Sequence, residues 1–229
     1  MNLRTEQLFY LLLFLSLILT RIPYLGAFFR VINTMIHEFG HASMALILKG
    51  EVVKINLFSD TSGNALTKVN GKLSIFLVSF SGYPFSSIVA FFIFYLINNN
   101  FTIFSIIIFM GIGLISLILF VRNSYGIIWL LFFLVVSGII LQQNTLKILY
   151  FWSVFNGALL LIDSIMSSFI LLKISIQNPN GAGDAYNLKK ITHLPSWFWA
   201  FIFISINVYI TYLTVRISFP PIKNIFVIG

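Results

Sequence analysis

The sequence of 229 residues contains no cysteine and very little charge. Without cysteine the chain can form no disulfide, thiolate metal ligand or cysteine nucleophile, so any metal ion must be held by histidine, aspartate or glutamate. Charged residues make up only 9% of the chain, whereas hydrophobic residues make up 59%. This balance excludes an ordinary soluble domain and indicates a protein that crosses a membrane several times.

Apolar runs that approach or exceed the length of a membrane span, about 20 residues, follow one another along the chain. Short polar breaks at residues 98–100, 122–124 and 142–144 separate the later runs, and such breaks are typical of turns that face water. We therefore predict an all-α membrane protein, a single domain over residues 1–229, with six to seven transmembrane helices. The predicted spans are 8–20, which is short, 22–48, 73–97, 101–121, 125–141, 146–172 and 197–217.

Basic residues are unevenly distributed when the seven spans are threaded through a membrane. Because loops rich in Lys and Arg stay in the cytoplasm, we expect a multi-pass protein of the cell membrane with a cytoplasmic amino terminus and a cytoplasmic loop at residues 174–196. The net charge of +8 fits basic loops that face anionic lipid headgroups, and no compact basic and aromatic module indicates nucleic-acid binding. The amino-terminal side carries Arg4, Lys49, Lys54, Lys68, Lys72, Arg122, Lys173, Lys189 and Lys190, and the other side carries Arg21, Lys147, Arg216 and Lys223.

Residues 37–41 have the sequence His-Glu-Phe-Gly-His and lie inside a predicted span, where charge is most costly. On a helix, His37 and His41 project from one face a turn apart, so both rings can bind one Zn²⁺. Glu38 lies beside them as the general base that would activate a bound water. Asn33, one turn before His37, is a candidate to hydrogen-bond that imidazole from behind. The pattern predicts a zinc hydrolase, and a buried polar cluster that only joins helices is the alternative.

A third protein ligand must come from another acidic residue. Asp163 is the only acidic residue other than Glu38 within a predicted span. At 1.5 Å per residue, His37 and His41 lie about 18 and 12 Å from Lys49, and Asp163 lies about 15 Å from Lys173. These depths agree for two helices that run in the same direction, so Asp163 is the favoured third ligand. A structural hydrogen bond within its own helix is the alternative.

Residues 50–72 differ from the apolar runs around them. Apolar and polar residues are interspersed there, and Ser-Gly-Asn at 62–64 is typical of a turn. The segment predicts a β-hairpin over residues 51–69. Its edge could pair with an extended substrate segment, or the hairpin could be only a connection between helices.

This arrangement resembles the site-2 protease family of intramembrane zinc metallopeptidases, with an H-E-x-x-H helix, a short polar hairpin and a later intramembrane aspartate. Residues 156–164, Asn-Gly-Ala-Leu-Leu-Leu-Ile-Asp-Ser, are similar to the family's later helix, which carries an asparagine, a leucine-rich segment and Leu-Asp-Gly. The resemblance implies that Asp163 is the third zinc ligand and that Asn156 orients the substrate through its amide. Ser164 stands where the family has glycine.

A second segment resembles a divergent bacterial branch of the same superfamily, whose members carry a Ser-Asp-Ala or Gly-Asp-Ala loop. Residues 183–185 read Gly-Asp-Ala, followed by Thr192 and Trp197. This resemblance implies that Asp184 is a rival third ligand or a substrate contact. The alternative is that Asp184 caps a short helix over residues 185–191.

These features predict an enzyme that binds one Zn²⁺ per chain and hydrolyses a peptide bond in a membrane-protein or peptide substrate. Two other classes stay open: a non-catalytic membrane regulator or transporter that retains the metal-binding helix, and a hydrolase that acts on a lipid or small amide. A transporter would usually show internal repeats, and residues 1–115 and 116–229 show no convincing duplication. The sequence indicates no oligomeric state.

Overall fold

The computed structural model describes residues 5–221. The predictions that concern residues 1–4 and 222–229, including the sides assigned to Arg4 and Lys223, lie outside the described residues. The elements are α1 (Thr5–Leu19), α2 (Leu25–Ile47), β1 (Glu51–Leu57), β2 (Gly63–Lys68), α3 (Lys72–Asn98), α4 (Thr102–Ile115, continued by a π-helical turn at Ser116–Phe120), α5 (Ser124–Gln143), α6 (Leu146–Gln177), a 3-10 turn at Pro179–Gly181, α7 (Gly183–Thr192) and α8 (Ser196–Ser218).

Most of the helices have the length and composition of membrane spans. Within residues 5–221, five helices are long and apolar enough to cross a membrane: α3, α4 with its π-helical turn, α5, α6 and α8. The first predicted span is the shorter apolar helix α1, and the second is α2, which has 23 residues but carries Arg30, Glu38 and two histidines. The prediction of an all-α membrane fold with a short hairpin is confirmed, and the chain is a multi-pass integral membrane protein.

The helices pack around an apolar core that spans most of the bundle. Its buried members include Phe9 of α1, Ile36 of α2, Phe94 of α3 and Leu160 of α6. A smaller cluster packs α7 against α3, α6 and α8, with Leu188 fully buried at its centre. The predicted loop at residues 174–196 therefore contains the end of α6 and a short helix that is packed into the protein.

Helices α2 and α3 approach each other closely. An added Cβ at Gly40 of α2 would lie 2.8 Å from the Cβ of Phe85 on α3, so only glycine allows this contact. One residue earlier, Pro84 lies inside α3, where its missing N–H leaves a carbonyl one turn before it without the usual helical donor. The middle of α3 is thus set against the helix that carries the two histidines.

The hairpin follows α2 directly and agrees with the predicted residues. β1 and β2 pair antiparallel, with Ile55 opposite Ala65. The other edge of β1 is already occupied: Ile55 forms a parallel bridge with Val121, and the Asn123 side chain binds both the N–H and the carbonyl of Leu57, at 3.0 and 2.6 Å. This contact brings the α4–α5 connection to the hairpin.

We expect Asn123→Ala to loosen the hairpin, since two backbone groups of Leu57 lose their partner. A buried polar group left unsatisfied costs about 1–3 kcal/mol, so amide hydrogen exchange in β1 should become faster while exchange in α6 stays unchanged. Asn56→Ala removes only an exposed hydrogen bond to Asn64 and serves as the control. Equal exchange in Asn123→Ala and the parent protein would show that another contact holds the hairpin.

Candidate metal centre

The two histidines of α2 meet the carboxylate of Asp184 in the first turn of α7. His37 Nε2 and His41 Nε2 each lie 3.1 Å from Asp184 Oδ2, and they lie 3.0 Å from each other. In the part of the chain that the structure describes, these three side chains form the one group with the composition and spacing of a metal site, their ligand atoms lying within 4.8 Å of one another. Side chains distant in sequence thus present three donor atoms to a common point.

The hydrogen bonds of His41 indicate what this point can bind. His41 Nδ1 lies 2.6 Å from the carbonyl oxygen of Val78, which can only accept, so Nδ1 must carry a hydrogen and donate it. In neutral His41 the lone pair of Nε2 is therefore directed at the Asp184 carboxylate and at His37. Such electron-rich atoms repel one another unless a proton or a cation lies between them. Two imidazoles and one carboxylate, with one imidazole oriented by a backbone carbonyl, are a donor set that fits catalytic Zn²⁺.

Asp184 is held as an anion at this point. Its burial opposes ionisation, but the charge of His41 and the hydrogen bonds with His37 and His41 outweigh burial, so the pKa of the Asp184 carboxyl lies well below its usual range. The side chain makes no capping hydrogen bond to the start of α7. Gly183 enters the helix with φ of 46°, a left-handed conformation that favours glycine, and this turn precedes the carboxylate directly.

Helix α3 forms a wall of the centre at Gly82. An added Cβ there would lie 2.6 Å from His41 Nε2 and 2.6 Å from His37 Cε1, so the site has room for glycine alone. The next residue, Tyr83, packs its ring edge-to-face on His37 with centroids 4.6 Å apart, and it stacks on Phe203 of α8 at 4.7 Å. These contacts fix the orientation of the His37 ring from the side of α3.

Glu38 lies next to the histidines but outside the group of three. The residue is only 5% exposed, and the backbone N–H of Ala65 in β2 lies near its carboxylate. Gly63, at the start of β2, touches the same side chain: an added Cβ there would lie 2.8 Å from Glu38 Oε1 and 2.5 Å from Thr34 Cγ2. The hairpin therefore holds this carboxylate beside the two histidines and Asp184.

Asp163, the third ligand that the sequence analysis favours, is bound elsewhere. Its carboxylate accepts hydrogen bonds from Arg30 Nε at 2.5 Å and from Asn33 Nδ2 at 3.0 Å. Asn33 precedes His37 by four residues, which is about 6 Å along a helix axis. Asp163 therefore lies about one helical turn from the level of His37, although the residue counts predicted equal depths. The carboxylate that reaches the histidines is that of the rival candidate, Asp184.

The two asparagines singled out in the sequence have other partners. Asn33 is tied to Asp163, and its amide oxygen is buried without a partner among the described residues. Asn156 donates to the carbonyl of Trp152 at 2.8 Å and lines a cavity of about 20 Å³ between aromatic side chains. Within residues 5–221, neither asparagine forms a hydrogen bond with His37 or His41.

The Val78 carbonyl, which orients His41, and Arg30, which binds Asp163, were not predicted from the sequence. A backbone carbonyl leaves no motif. The Gly-Tyr-Pro sequence at 82–84, inside the third predicted span, does indicate a bend that either lines the site or is only structural. Arg30 did leave a signal. It is a permanently charged residue within a predicted span, where such a residue requires an acidic partner.

Comparison with known proteins gives one match. A family model described as Peptidase M50B-like matches residues 10–214, a range that includes the three side chains of the metal group and Glu38. Comparison with curated proteins and with solved structures finds no match.

Gly82→Ala is expected to lower the affinity for Zn²⁺ by about tenfold or more, as disruption of the groups around metal ligands commonly does, because the new methyl group would displace both imidazoles. Zinc affinity of the purified protein, measured by competition with a chelator, checks this. Gly138→Ala is the matched control, since a Cβ at Gly138 of α5 meets no atom within 4 Å. Equal affinities in the two variants would contradict this description of the α3 wall.

Proposed function

The chain belongs to the Peptidase M50B-like family, which is a site-2 protease family, and from that premise we propose that it is an intramembrane zinc metalloprotease. One observation carries the proposal. Two imidazoles and a carboxylate converge within 3.1 Å of one another while a further buried carboxylate, that of Glu38, lies free of the group. A polar cluster with only a structural role would not require a second buried carboxylate beside it.

In this proposal His37, His41 and Asp184 hold one Zn²⁺ per chain. The Val78 carbonyl fixes His41 in the tautomer whose Nε2 is free to bind a metal. Three protein ligands leave a fourth position for water or substrate, as catalytic zinc requires. Asp163 has no part in this ligand set, because its carboxylate neutralises Arg30.

The reaction proposed is hydrolysis of a peptide bond. A Zn²⁺ ion held by these ligands would polarise the attacking water and the scissile carbonyl. Glu38 would accept a proton from that water and later donate it to the leaving amine.

The hairpin supports a way to hold the substrate. A transmembrane helix hides its backbone groups, so a membrane-protein or peptide substrate must be extended at the bond to be cleaved. β1 is occupied along its outer edge by residues 121–123, whereas the N–H of Ala65 in β2 points to Glu38. We propose that the extended substrate pairs with β2 by β-augmentation. Asn156 and Asn33, which bind other groups, are given no contact with the substrate or the imidazoles.

The site is proposed to open to the cytoplasm of a cell whose plasma membrane holds the chain. The hairpin, the α4–α5 connection and the start of α3 lie at one end of the bundle, and Lys49, Lys54 and Lys72 lie at that end as well. By the positive-inside bias this end faces the cytoplasm. Phe9, near the start of α1, packs against Phe94 and Phe219, near the ends of α3 and α8, so the start of α1 lies at the opposite end of the bundle. Water would reach the site from the cytoplasmic side.

Glu38→Gln should leave zinc bound and reduce cleavage by about 10²–10⁴-fold, the usual contribution of a positioned general base. Zinc content and cleavage of a single-span model substrate, both measured on protein reconstituted in lipid vesicles, check the two halves of this prediction. Glu51→Gln removes an exposed carboxylate of the hairpin that pairs with Lys68 and is the control. Unimpaired turnover in Glu38→Gln would remove the general-base assignment.

Asp184→Asn should abolish stoichiometric zinc binding, because the anionic ligand is lost while the residue keeps its size. Asp163→Asn should still bind one zinc per chain when the metal is in excess, since Asp163 contacts Arg30 and Asn33 and neither histidine. The zinc content of both variants after dialysis against a zinc buffer decides between the two aspartates. The opposite pattern would make Asp163 the ligand, and a parent protein without zinc would overturn the proposed function itself.

A further inference from the structure

A buried ion pair joins the histidine-bearing helix α2 to α6. Arg30 Nε lies 2.5 Å from Asp163 Oδ1, and Asn33 Nδ2 donates to the other carboxylate oxygen at 3.0 Å, with Ser167 Oγ a further 3.5 Å contact of the same amide. Asp163 is 2% exposed. Apart from the contacts of Asp184 with the two histidines, this is the one ion pair between two helices in residues 5–221.

The pair constrains where α2 can lie along its own axis. The guanidinium of Arg30 stays charged under all ordinary conditions, and in apolar surroundings an unpaired arginine side chain extends toward the membrane surface. Arg30 lies in the second turn of α2. Without Asp163, Arg30 would lose this carboxylate partner, and α2 could shift along its axis until the guanidinium reached water.

Asp184 reaches the histidines from α7, which follows the carboxyl-terminal end of α6. α7 follows α6 after a connection of residues 178–182 and packs through Ala185 and Leu188 against α3, α6 and α8. The position of the carboxylate thus depends on α6 and α7, whereas the two imidazoles move with α2. A shift of α2 along its axis would separate the imidazoles from Asp184.

Helix α6 is itself fixed from its opposite side. Asn207 of α8 donates to the carbonyl of Ser164 at 2.9 Å and to Ser168 Oγ at 3.0 Å, so α6 and α8 share a defined register next to Asp163. The axial position of α2 can therefore be described relative to α6.

We propose that Arg30, Asp163 and Asn33 are positioning residues that fix the axial position of α2 relative to α6, and thereby bring His37 and His41 to Asp184. This inference rests on the proposed function, because its purpose is assembly of the zinc site. It gives the intramembrane aspartate a role that requires no contact with the metal.

The test combines zinc affinity with a direct distance measurement on the full-length chain. Because the protein has no cysteine, spin labels can be attached at Ile47→Cys, the exposed last residue of α2, and at Asn187→Cys, exposed on α7. The distance between the labels reports the position of α2 relative to α7 with and without zinc. Variants are Asp163→Asn, Arg30→Met and the exchanged pair Arg30→Asp with Asp163→Arg.

We expect both single variants to weaken zinc binding by about tenfold or more and to change the distance between the labels in the metal-free protein. The exchanged pair should recover part of both, which a general loss of packing would not allow. Ser153→Ala is the matched control, since it removes a buried hydrogen bond between α6 and Ser105 of α4 without touching α2. It should change the zinc affinity by less than about twofold, as expected for a change away from the coupled residues.

An unchanged distance and unchanged zinc affinity in Asp163→Asn would overturn the positioning role. If that variant does not fold, Asn33→Ala, which removes only the amide contact, is judged by the same two measurements. A parent protein that binds no zinc would refute the proposed function, whereas the distances in the metal-free chain would still decide whether the ion pair sets the position of α2.

Discussion

A charged side chain inside an apolar bundle is stable only when a group of opposite charge lies beside it. This requirement determines which helices contact each other at the centre of the molecule. Two groups of polar side chains lie along α2, about two turns apart. In one, Arg30 is matched by Asp163. In the other, His37 and His41 face Asp184. Each group joins α2 to a later part of the chain, so the electrostatic cost of placing these residues in the interior is offset by contacts that also define how the helices are arranged.

The hairpin and α3 complete the centre without contributing a charged group. β2 offers a backbone N–H to Glu38, α3 offers the Val78 carbonyl to His41, and Gly82 leaves the space that the imidazoles fill. These contributions come from the backbone or from the absence of a side chain. The chemistry proposed for the site therefore depends as much on close packing of α2 with its neighbours as on the ionisable residues themselves.

The features that could be predicted from the sequence are those that depend on local pattern. Apolar runs located the helices, the alternation after residue 50 located the hairpin, and the i, i+4 spacing placed both histidines on one face. The third acid could not be assigned by depth, since counting residues treats helices as equally tilted and says nothing about their rotation. Arg30 is the one basic residue far from the ends of a predicted span, and its charge requires an acidic partner, which in this fold is Asp163. The inward packing of the short helix within residues 174–196 depends on Leu188 and other apolar contacts with distant helices, which a local pattern does not show.

The separation of the three donor side chains along the chain has a topological consequence. Asp184 follows His41 by 143 residues, so an ion bound by both would cross-link the chain across a segment that contains the hairpin and four of the apolar helices. Closing so long a loop restricts the unfolded chain more than closing a short one, by about 0.6 kcal/mol for each doubling of the loop length. An ion bound at this point would stabilise the tertiary structure as well as take part in the reaction. Its removal would therefore destabilise helices that make no contact with it.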